Sequence, residues 1–180
     1  MNAAERYEEI LASAQCLYST AEVEAAIVEM ARQITARIGA TNPVVCSVLT
    51  GGIVLTGKLI TQLPFALELD YLHLSRYQNR TEGGLLQWKA RPTIDCTGRT
   101  VLLVDDILDE GTTLQAAVEH FRQMGAVDVL TAVLINKRHQ RKHGLQVADF
   151  VGLETEDRYL FGYGLDYHGY FRNVPGIYGL

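Results

Sequence analysis

Cysteine is scarce in this 180-residue sequence, and Cys16, Cys46 and Cys96 lack the paired spacing of a zinc site. An odd number excludes a full disulfide framework, so we expect free thiols in a reducing compartment. Long apolar runs are also missing, and none reaches the roughly 18 residues that a membrane-spanning helix needs. The first six residues are polar and lack the apolar segment of a secretory leader, so we expect a cytoplasmic location.

An excess of positive charge is absent too, because 16 Lys and Arg stand against 21 Asp and Glu, a formal net charge of -5. A surface of this sign disfavours general binding to nucleic acid, whose phosphates attract positively charged proteins. The remaining composition, 48% hydrophobic and 21% charged, is that of an ordinary globular protein. The length fits a single domain that spans residues 1–180.

Apolar segments that suit buried strands alternate with helical patterns along the chain. We predict helices in the first forty residues, at 53–63 and at 112–124, and strands at 44–49, 65–74, 100–104, 127–135 and 149–153. Strands that alternate with helices indicate an α/β fold with three layers, a parallel sheet flanked by helices. The polar and glycine-containing segment 76–97 is predicted to be a long loop or a hairpin arm.

The most informative segment is 101–114, in which a buried strand runs into a cluster of carboxylates. Asp105, Asp106 and Asp109 repel one another unless a cation or hydroxyl groups lie between them, and capping a helix does not require three acids. A Gly and two Thr then lead into a helix N-terminus, whose amides and positive end suit a phosphate. Acids for a diol and a metal, beside amides for a phosphate, predict a sugar-phosphate site.

A second turn, Thr50-Gly51-Gly52, follows the first predicted strand of the sheet. Residues 52–58 match the G-x-x-x-x-G-K of a P-loop, but Leu59 stands where a P-loop has the Ser or Thr that binds magnesium. Ligands of parallel α/β sheets bind beyond the carboxyl ends of the strands. We therefore expect this turn, the acidic segment and the basic segment 137–143 to meet at one edge of the sheet.

The acidic segment resembles the diphosphosugar-binding signature of the type I phosphoribosyltransferases, two acids after a buried strand and then an acid and a Gly-Thr-Thr turn. Residues 157–167 (D-R-Y-L-F-G-Y-G-L-D-Y) and 170–173 (Y-F-R-N) resemble the C-terminal hallmark of the hypoxanthine-guanine phosphoribosyltransferases. The resemblance runs from about residue 44 to the C-terminus. It implies that family's three-layer parallel sheet, with a small hood that includes 154–180 and a flexible arm, 76–97, over the active site.

The same resemblance implies a purine salvage enzyme that transfers the 5-phosphoribosyl group of phosphoribosyl diphosphate (PRPP) to hypoxanthine or guanine, with Mg²⁺ as cofactor. Asp109 would be the general base, and Asp105 and Asp106 would hold the ribose hydroxyls. The expected metal ligands are Asp105, Asp106 and Asp166. The expected phosphate contacts are Glu110, Gly111, Thr112 and Thr113 for the 5′-phosphate, and Thr50, Gly51 and Arg172 for the pyrophosphate.

In the purine half of the implied site, Lys137 would donate to the 6-oxo group and Tyr159 would stack on the base. The backbone of Leu160 would contact the edge of the base. Ser75, Arg76 and Tyr77 would form a lid, with Arg76 at the position where the family has Ser. Members of the family are usually dimers or tetramers, so a homo-oligomer is expected.

Two alternatives stay open on the sequence. The family includes a pyrimidine-operon attenuator, so the chain could be a nucleotide- or RNA-binding regulatory protein of the same fold. The sequence also does not rank hypoxanthine, guanine and xanthine, which leaves a xanthine-preferring enzyme open. No metal-ligand spacing links the five histidines, which have no assigned role: His73, His120, His139, His143 and His168.

Overall fold

The structure is a computed structural model that describes residues 3–76 and 86–180. Its elements in chain order are α1 (Ala3–Ser13), β1 (Gln15–Tyr18), α2 (Thr20–Ile38), β2 (Val44–Leu49), α3 (Gly52–Ile60), β3 (Glu68–Arg76), β4 (Leu86–Ala90), β5 (Thr100–Leu108), α4 (Thr112–Gln123), β6 (Asp128–Arg138), β7 (Phe150–Glu156), β8 (Leu160–Phe161) and β9 (Ile177–Gly179). Within these residues, no helix combines the length and the apolar character that crossing a membrane requires.

The main sheet has six strands in the order β4-β3-β2-β5-β6-β7. Strands β3, β2, β5, β6 and β7 are paired in parallel, and β4 pairs antiparallel with β3 at the edge. The chain passes from β3 on one side of β2 to β5 on the other. The carboxyl ends of β2 and β5 therefore flank the point where the strand order reverses, which is where such sheets bind ligands.

Two hydrophobic cores cover the two faces of this sheet. On β5, Leu102 and Val104 face the core that α2 and α3 cover, whereas Val101 and Leu103 face the core that α4 covers. Successive strand residues point to opposite faces, so an uninterrupted apolar run buries both sides of the strand. The predicted three-layer α/β architecture is confirmed.

Helix α2 shows how the sequence sets these layers. A capping box closes its N-terminus, with the Ser19 hydroxyl accepting from the Glu22 backbone and the Glu22 carboxylate accepting from the Ser19 backbone. Its buried residues recur every three or four positions: Val23, Ile27, Met30, Ala31, Ile34 and Ile38. This face packs on the sheet, as the helical stripe predicted.

A second, three-stranded sheet in the order β1-β9-β8 forms the hood. The prediction that the first forty residues are helical was wrong at β1, because this strand forms by pairing with β9 at the far end of the chain. Helix α1 also packs there, with the Tyr7 ring stacked 4.9 Å from the Phe171 ring. The hood thus combines residues from both ends of the sequence.

The predicted arm is described only in part. Residues 86–90 form β4, which pairs antiparallel with β3 at the edge of the sheet, with Trp88 opposite Leu74. Residues 77–85, including the predicted lid residue Tyr77, lie outside the described residues, and the Arg76 side chain is likewise outside them. Ser75 lies in β3, paired with Gln87.

Candidate active site

Asp105 and Asp106 lie within strand β5 and not in the loop after it. The apolar pattern predicted its end at Val104, but pairing with β6 continues through Asp105–Val133 and Ile107–Ile135. Asp105 and Asp106 are 9% and 8% exposed. The ladder therefore fixes both carboxylates at the sheet edge more rigidly than a loop would.

The turn after β2 lies directly against these acids. A Cβ placed on Gly51 would stand 1.9 Å from Oδ2 of Asp106, so the carboxylate occupies the space that any side chain there would need. The Gly51 carbonyl oxygen similarly lies 2.4 Å from the position of a Cβ on Gly164. The expected meeting of the two strand ends is therefore observed, with the C-terminal segment packed against them.

Burial makes the two adjacent acids hard to ionise. Burial raises the pKa of Asp105 well above its usual range, and the charge of Asp106 and the hydrogen bond between their carboxyl groups raise it further. Burial also raises the pKa of Asp106, but the hydrogen bond with Asp105 and the Arg172 charge partly offset this. The pair therefore favours a cation or a hydroxyl donor in the adjoining space.

Arg172 brings a cation to these acids. Its guanidinium lies 3.7 Å from Oδ2 of Asp106 and 2.6 Å from Oδ1 of Asp166. It also donates to the Gly164 carbonyl oxygen. One guanidinium thus serves two carboxylates beside the buried Asp105, which leaves this corner net negative.

Helix α4 begins beside the acids at Gly111, which has a φ of 78° and no side chain to cap the helix. A Cβ here would be strained by that left-handed backbone and would stand 2.2 Å from the Leu145 carbonyl oxygen. Residues 143–145 brace the turn, since the amides of His143 and Gly144 donate to the Glu110 carbonyl oxygen and that of Leu145 to Gly111. The positive end of the α4 helix at this turn suits a phosphate.

Asp109 is held by two cationic or proton-donating side chains. Its Oδ2 lies 3.1 Å from Nζ of Lys137, and its Oδ1 lies 2.6 Å from Nε2 of His139. Partial burial alone would raise the pKa of Asp109, but the hydrogen bonds from Lys137 and His139, together with the Lys137 charge, outweigh it and lower that pKa. Asp109 is therefore ionised at neutral pH.

Two adjoining pockets meet at these residues. The first, of about 360 Å³, is lined by Gly51, Asp105, Glu110, Gly111, Thr113 and Arg172, among others. The second, of about 220 Å³, is lined by Lys137, Tyr159, Leu160 and Leu165. Asp106, Ile107, Asp109 and Asp166 line both. The arrangement gives one site with an acidic, amide-rich half and a half that combines a cation with an aromatic ring.

Tyr159 and Leu160 lie where the hood meets the second pocket. The Tyr159 side chain is 48% exposed, and its ring touches Tyr167 edge-on at 5.3 Å. Leu160 is 5% exposed and lies in β8, paired with Gly179. An exposed ring beside a buried strand edge can cover a flat ligand on one face.

Some predicted contacts are more distant from the described pockets. Thr50 is exposed at the turn, and it is not among the residues that line the two pockets; nor are Thr112 and Ser75. The structure instead adds side chains with no assigned role, Ile107 between the pockets and His139 beneath Asp109. His139 could have been found from the sequence, because it lies two residues after Lys137 and the side chains of an extended chain at this spacing point to the same side.

Two groups of side chains offer ligand atoms for a metal ion. Asp105, Asp106 and Asp166 all line the first pocket and offer only carboxylate oxygens, the ligands that Mg²⁺ prefers, although their oxygens are not gathered within 4.8 Å of one another. Among the described residues, the ligand atoms that do lie within 4.8 Å of one another are those of Asp109, His139 and Asp157. In this second group the Lys137 ammonium already lies 3.1 Å and 3.9 Å from the two carboxylates, so the oxygen-rich group fits a hard cation better.

The P-loop alternative is wrong. Residues 52–60 form helix α3 from its first residue, so the matching segment makes no loop around a phosphate. Lys58 points away from the site and lies 2.7 Å from the Glu24 carboxylate on α2.

Comparison with known proteins decides the family. The model of a phosphoribosyl transferase domain matches residues 13–168. The chain belongs to the phosphoribosyltransferase family. This phosphoribosyltransferase is 34% identical over 162 residues to the hypoxanthine-guanine phosphoribosyltransferase of Bacillus subtilis, with 89% of each chain covered. It is 32% identical to the hypoxanthine-guanine-xanthine phosphoribosyltransferase of Tritrichomonas foetus, over 89% of this chain and 88% of that one.

Solved structures agree with this assignment. A hypoxanthine-guanine phosphoribosyltransferase from Bacillus anthracis matches with a TM-score of 0.86 at 29% identity, covering 92% of this chain and 98% of that one. A hypoxanthine-guanine-xanthine phosphoribosyltransferase matches with a TM-score of 0.82 at 30% identity, covering 92% and 95%. The type I phosphoribosyltransferase fold implied by the acidic segment is confirmed.

Proposed function

We propose that this phosphoribosyltransferase transfers the 5-phosphoribosyl group of PRPP to hypoxanthine or guanine, giving IMP or GMP and pyrophosphate in purine salvage. The observation that carries the proposal is the pair of adjoining pockets that share Asp109. One pocket offers acids and helix amides for a sugar phosphate, and the other offers Lys137 and Tyr159 for a base. The names of the relatives from Bacillus subtilis and Tritrichomonas foetus support the same reaction.

In the first pocket, Asp105 and Asp106 hold the ribose hydroxyls. Because both carboxylates are buried, their ionisation without a hydrogen-bond donor or a cation nearby is costly. The ribose hydroxyls would donate the hydrogen bonds that the ionised carboxylates need. The turn from Glu110 to Thr113, at the positive end of α4, holds the 5′-phosphate. The turn at Thr50 and Gly51, with Arg172, holds the pyrophosphate.

Asp109 is the general base. It lines both pockets and is ionised, so it can take the proton of a purine imidazole N–H. The nitrogen lone pair then forms the bond to the anomeric carbon, and the C–O bond to the diphosphate breaks as pyrophosphate leaves. A positioned base contributes on the order of 100- to 10,000-fold to the rate.

Lys137 selects the base. Its side chain is 10% exposed, and an ammonium only donates hydrogen bonds. It therefore suits the 6-oxo acceptor of hypoxanthine or guanine and disfavours the 6-amino group of adenine. Tyr159 stacks on the purine ring, and the Leu160 backbone contacts its edge.

Mg²⁺ is the proposed cofactor, held by Asp105, Asp106 and Asp166 together with the substrate. A divalent cation there would neutralise the charge of the leaving pyrophosphate. The oxygen-only donor set supports this choice, as does the fact that one guanidinium, that of Arg172, lies beside both Asp106 and Asp166.

The working unit is proposed to be a single domain, residues 1–180, in the cytoplasm, and to form a dimer or a tetramer. The oligomer is supported by an exposed apolar groove between α3 and β3, where Ile53, Leu69 and Tyr71 are 53%, 50% and 51% exposed. The predicted lid at Ser75, Arg76 and Tyr77 stays a prediction.

Pyrophosphate release from PRPP and Mg²⁺ with hypoxanthine, guanine, xanthine, adenine and uracil tests the proposal. We expect turnover with hypoxanthine and guanine and little with adenine or uracil. Turnover with xanthine alone would replace the proposal by a xanthine-preferring enzyme. No turnover with any base, together with retention of RNA on filters at moderate salt, would favour the regulatory alternative.

A further inference from the structure

His139 is a buried histidine in contact with the proposed base. Its side chain is 5% exposed, at the first residue beyond β6, and its Nε2 lies 2.6 Å from Oδ1 of Asp109. Lys137, two residues earlier, takes the other oxygen of the same carboxylate. Each oxygen of Asp109 thus has its own partner from one end of β6.

The backbone sets which nitrogen of His139 carries the proton. The backbone N–H of Arg141 donates to Nδ1 of His139 over 3.0 Å. In the neutral ring an accepting Nδ1 leaves the hydrogen on Nε2, because the bond made by one ring nitrogen fixes the state of the other. Nε2–H therefore points at Oδ1 of Asp109 as a donor, without any need for a protonated ring.

The loop that supplies this amide is itself anchored. The Arg141 guanidinium lies 2.5 Å from the Asp157 carboxylate, which also lies 3.9 Å from Nζ of Lys137. The Arg141 amide, the His139 ring and the Asp109 carboxylate therefore form a continuous chain of hydrogen bonds. The chain ends on a group that both pockets share.

We propose that His139 is the positioning residue of Asp109: its Nε2–H holds Oδ1 and turns Oδ2 toward the purine as the oxygen that receives the proton. This inference rests on the proposed function. Lys137 and His139 have different roles on the two oxygens of Asp109. Lys137 leaves Oδ2 when it donates to the 6-oxo group, whereas His139 stays on Oδ1 and keeps the carboxylate oriented.

The release of Oδ2 also links base recognition to proton transfer. While Lys137 is on Asp109, Oδ2 is occupied and the carboxylate is a weak base. A purine with a 6-oxo group draws the ammonium away and frees that oxygen, whereas adenine offers no acceptor there. His139 keeps the carboxylate of Asp109 facing the purine after Lys137 has left, because without this hydrogen bond the carboxylate is free to rotate away.

Asn and Gln at position 139 separate the two hydrogen bonds of the ring. In His139→Asn the short amide reaches the place of Nδ1, so its oxygen can accept from Arg141 but its nitrogen falls short of Asp109. In His139→Gln the longer amide places a donor near the position of Nε2. His120→Asn is the matched control, since His120 lies on α4 against Trp88, away from the two pockets.

The measurement is the single-turnover rate of nucleotide formation from PRPP and hypoxanthine, which separates the chemical step from product release, together with the KM for PRPP. We expect His139→Asn to lower the rate about 10-fold or more while the KM for PRPP changes less than about 2-fold. His139→Gln should recover most of the rate, and His120→Asn should match the parent. In the Asp109→Asn background, His139→Asn should cost less than about 2-fold more, because no carboxylate is left there to be oriented for proton transfer.

The inference is wrong if His139→Asn keeps the parent rate, if Gln and Asn lose equally, or if the loss persists in full in the Asp109→Asn background. An equal loss in His120→Asn would also overturn it. These outcomes differ from failure of the proposed function, in which the parent protein itself forms no nucleotide with any base.

Discussion

Replacing Asp105 with Asn should stabilise the ligand-free protein even though it removes a ribose-binding group. The carboxyl group is 9% exposed, and burial together with Asp106 raises its pKa. An Asn oxygen would still accept from the Asp106 backbone amide, which now lies 2.9 Å from Oδ1. Its NH₂ group could donate to the Asp106 carboxylate. The change removes a buried charge and leaves the polar contacts satisfied.

The gain should depend on pH with a definite sign. A carboxyl group whose folded pKa lies above its unfolded value binds its proton more tightly in the folded state. The stability of the parent protein therefore falls as pH rises from about 3.8, the ordinary pKa of an aspartic acid, through the raised pKa of the folded state, and the loss is complete above it. Asn escapes that loss, so the variant should gain about 1 kcal/mol at neutral pH. For a chain of this size, about 1 kcal/mol raises the melting temperature by about 2–4 °C.

Thermal unfolding of ligand-free protein, followed by circular dichroism at neutral and at mildly acidic pH, measures this gain. Asp106→Asn is the matched control and should gain less, because Arg172 lies 3.7 Å from that carboxylate and compensates part of its charge. Added PRPP and Mg²⁺ should raise the melting temperature of the parent but not that of Asp105→Asn. A variant that is less stable at neutral pH, or equally stabilised at both pH values, would refute the buried-charge explanation.

Four further outcomes are expected. Asp109→Asn should lower turnover by about 100-fold or more with little change in the KM for PRPP; near-normal turnover would remove its role as base. Lys137→Met should raise the KM for hypoxanthine about 10-fold, since a hydrogen bond to a charged group contributes about 1.5–3 kcal/mol, and unchanged hypoxanthine kinetics would contradict the base-binding role. Gly51→Ala should lower turnover about 10-fold or more, because its Cβ would stand 1.9 Å from Oδ2 of Asp106; wild-type kinetics would show that the turn relaxes. Chelation by EDTA should abolish pyrophosphate release and added Mg²⁺ should restore it, whereas full activity in EDTA would exclude the metal.

The sequence predicted the parts of the site that are local along the chain. Asp105, Asp106, Asp109 and Gly111 follow one another at a single strand end, so their chemistry and their place in an α/β sheet could be inferred together. The end of β5 was set too early, because acids interrupt the apolar pattern at Asp105. Pairing with β6 holds the strand together as far as Leu108, and a partner strand is not visible in a local window.

Two other features depend on distant partners and escaped prediction for that reason. Strand β1 has four residues between two helices, and its partner β9 lies at the opposite end of the sequence. His139 is one of five histidines without metal-ligand spacing, and its importance appears only when β5 and β6 bring Asp109 beside it. Site residues could thus be predicted where they are neighbours in the sequence, but not where the fold brings distant segments together.

Because Gln15 pairs with Gly179, the hood sheet can be completed only late in synthesis. The residues that line the first pocket lie between Val48 and Leu114, except Asp166 and Arg172, so most of them leave the ribosome well before β9 is made. The hood sheet needs β9 to join β1 to β8, and contacts of such long sequence separation form slowly. The nascent chain should therefore form the β5 acids and the α4 turn early. Asp166 and Arg172 of the first pocket, like Tyr159 and Leu160 of the second, should be fixed in place only when β9 joins the hood sheet.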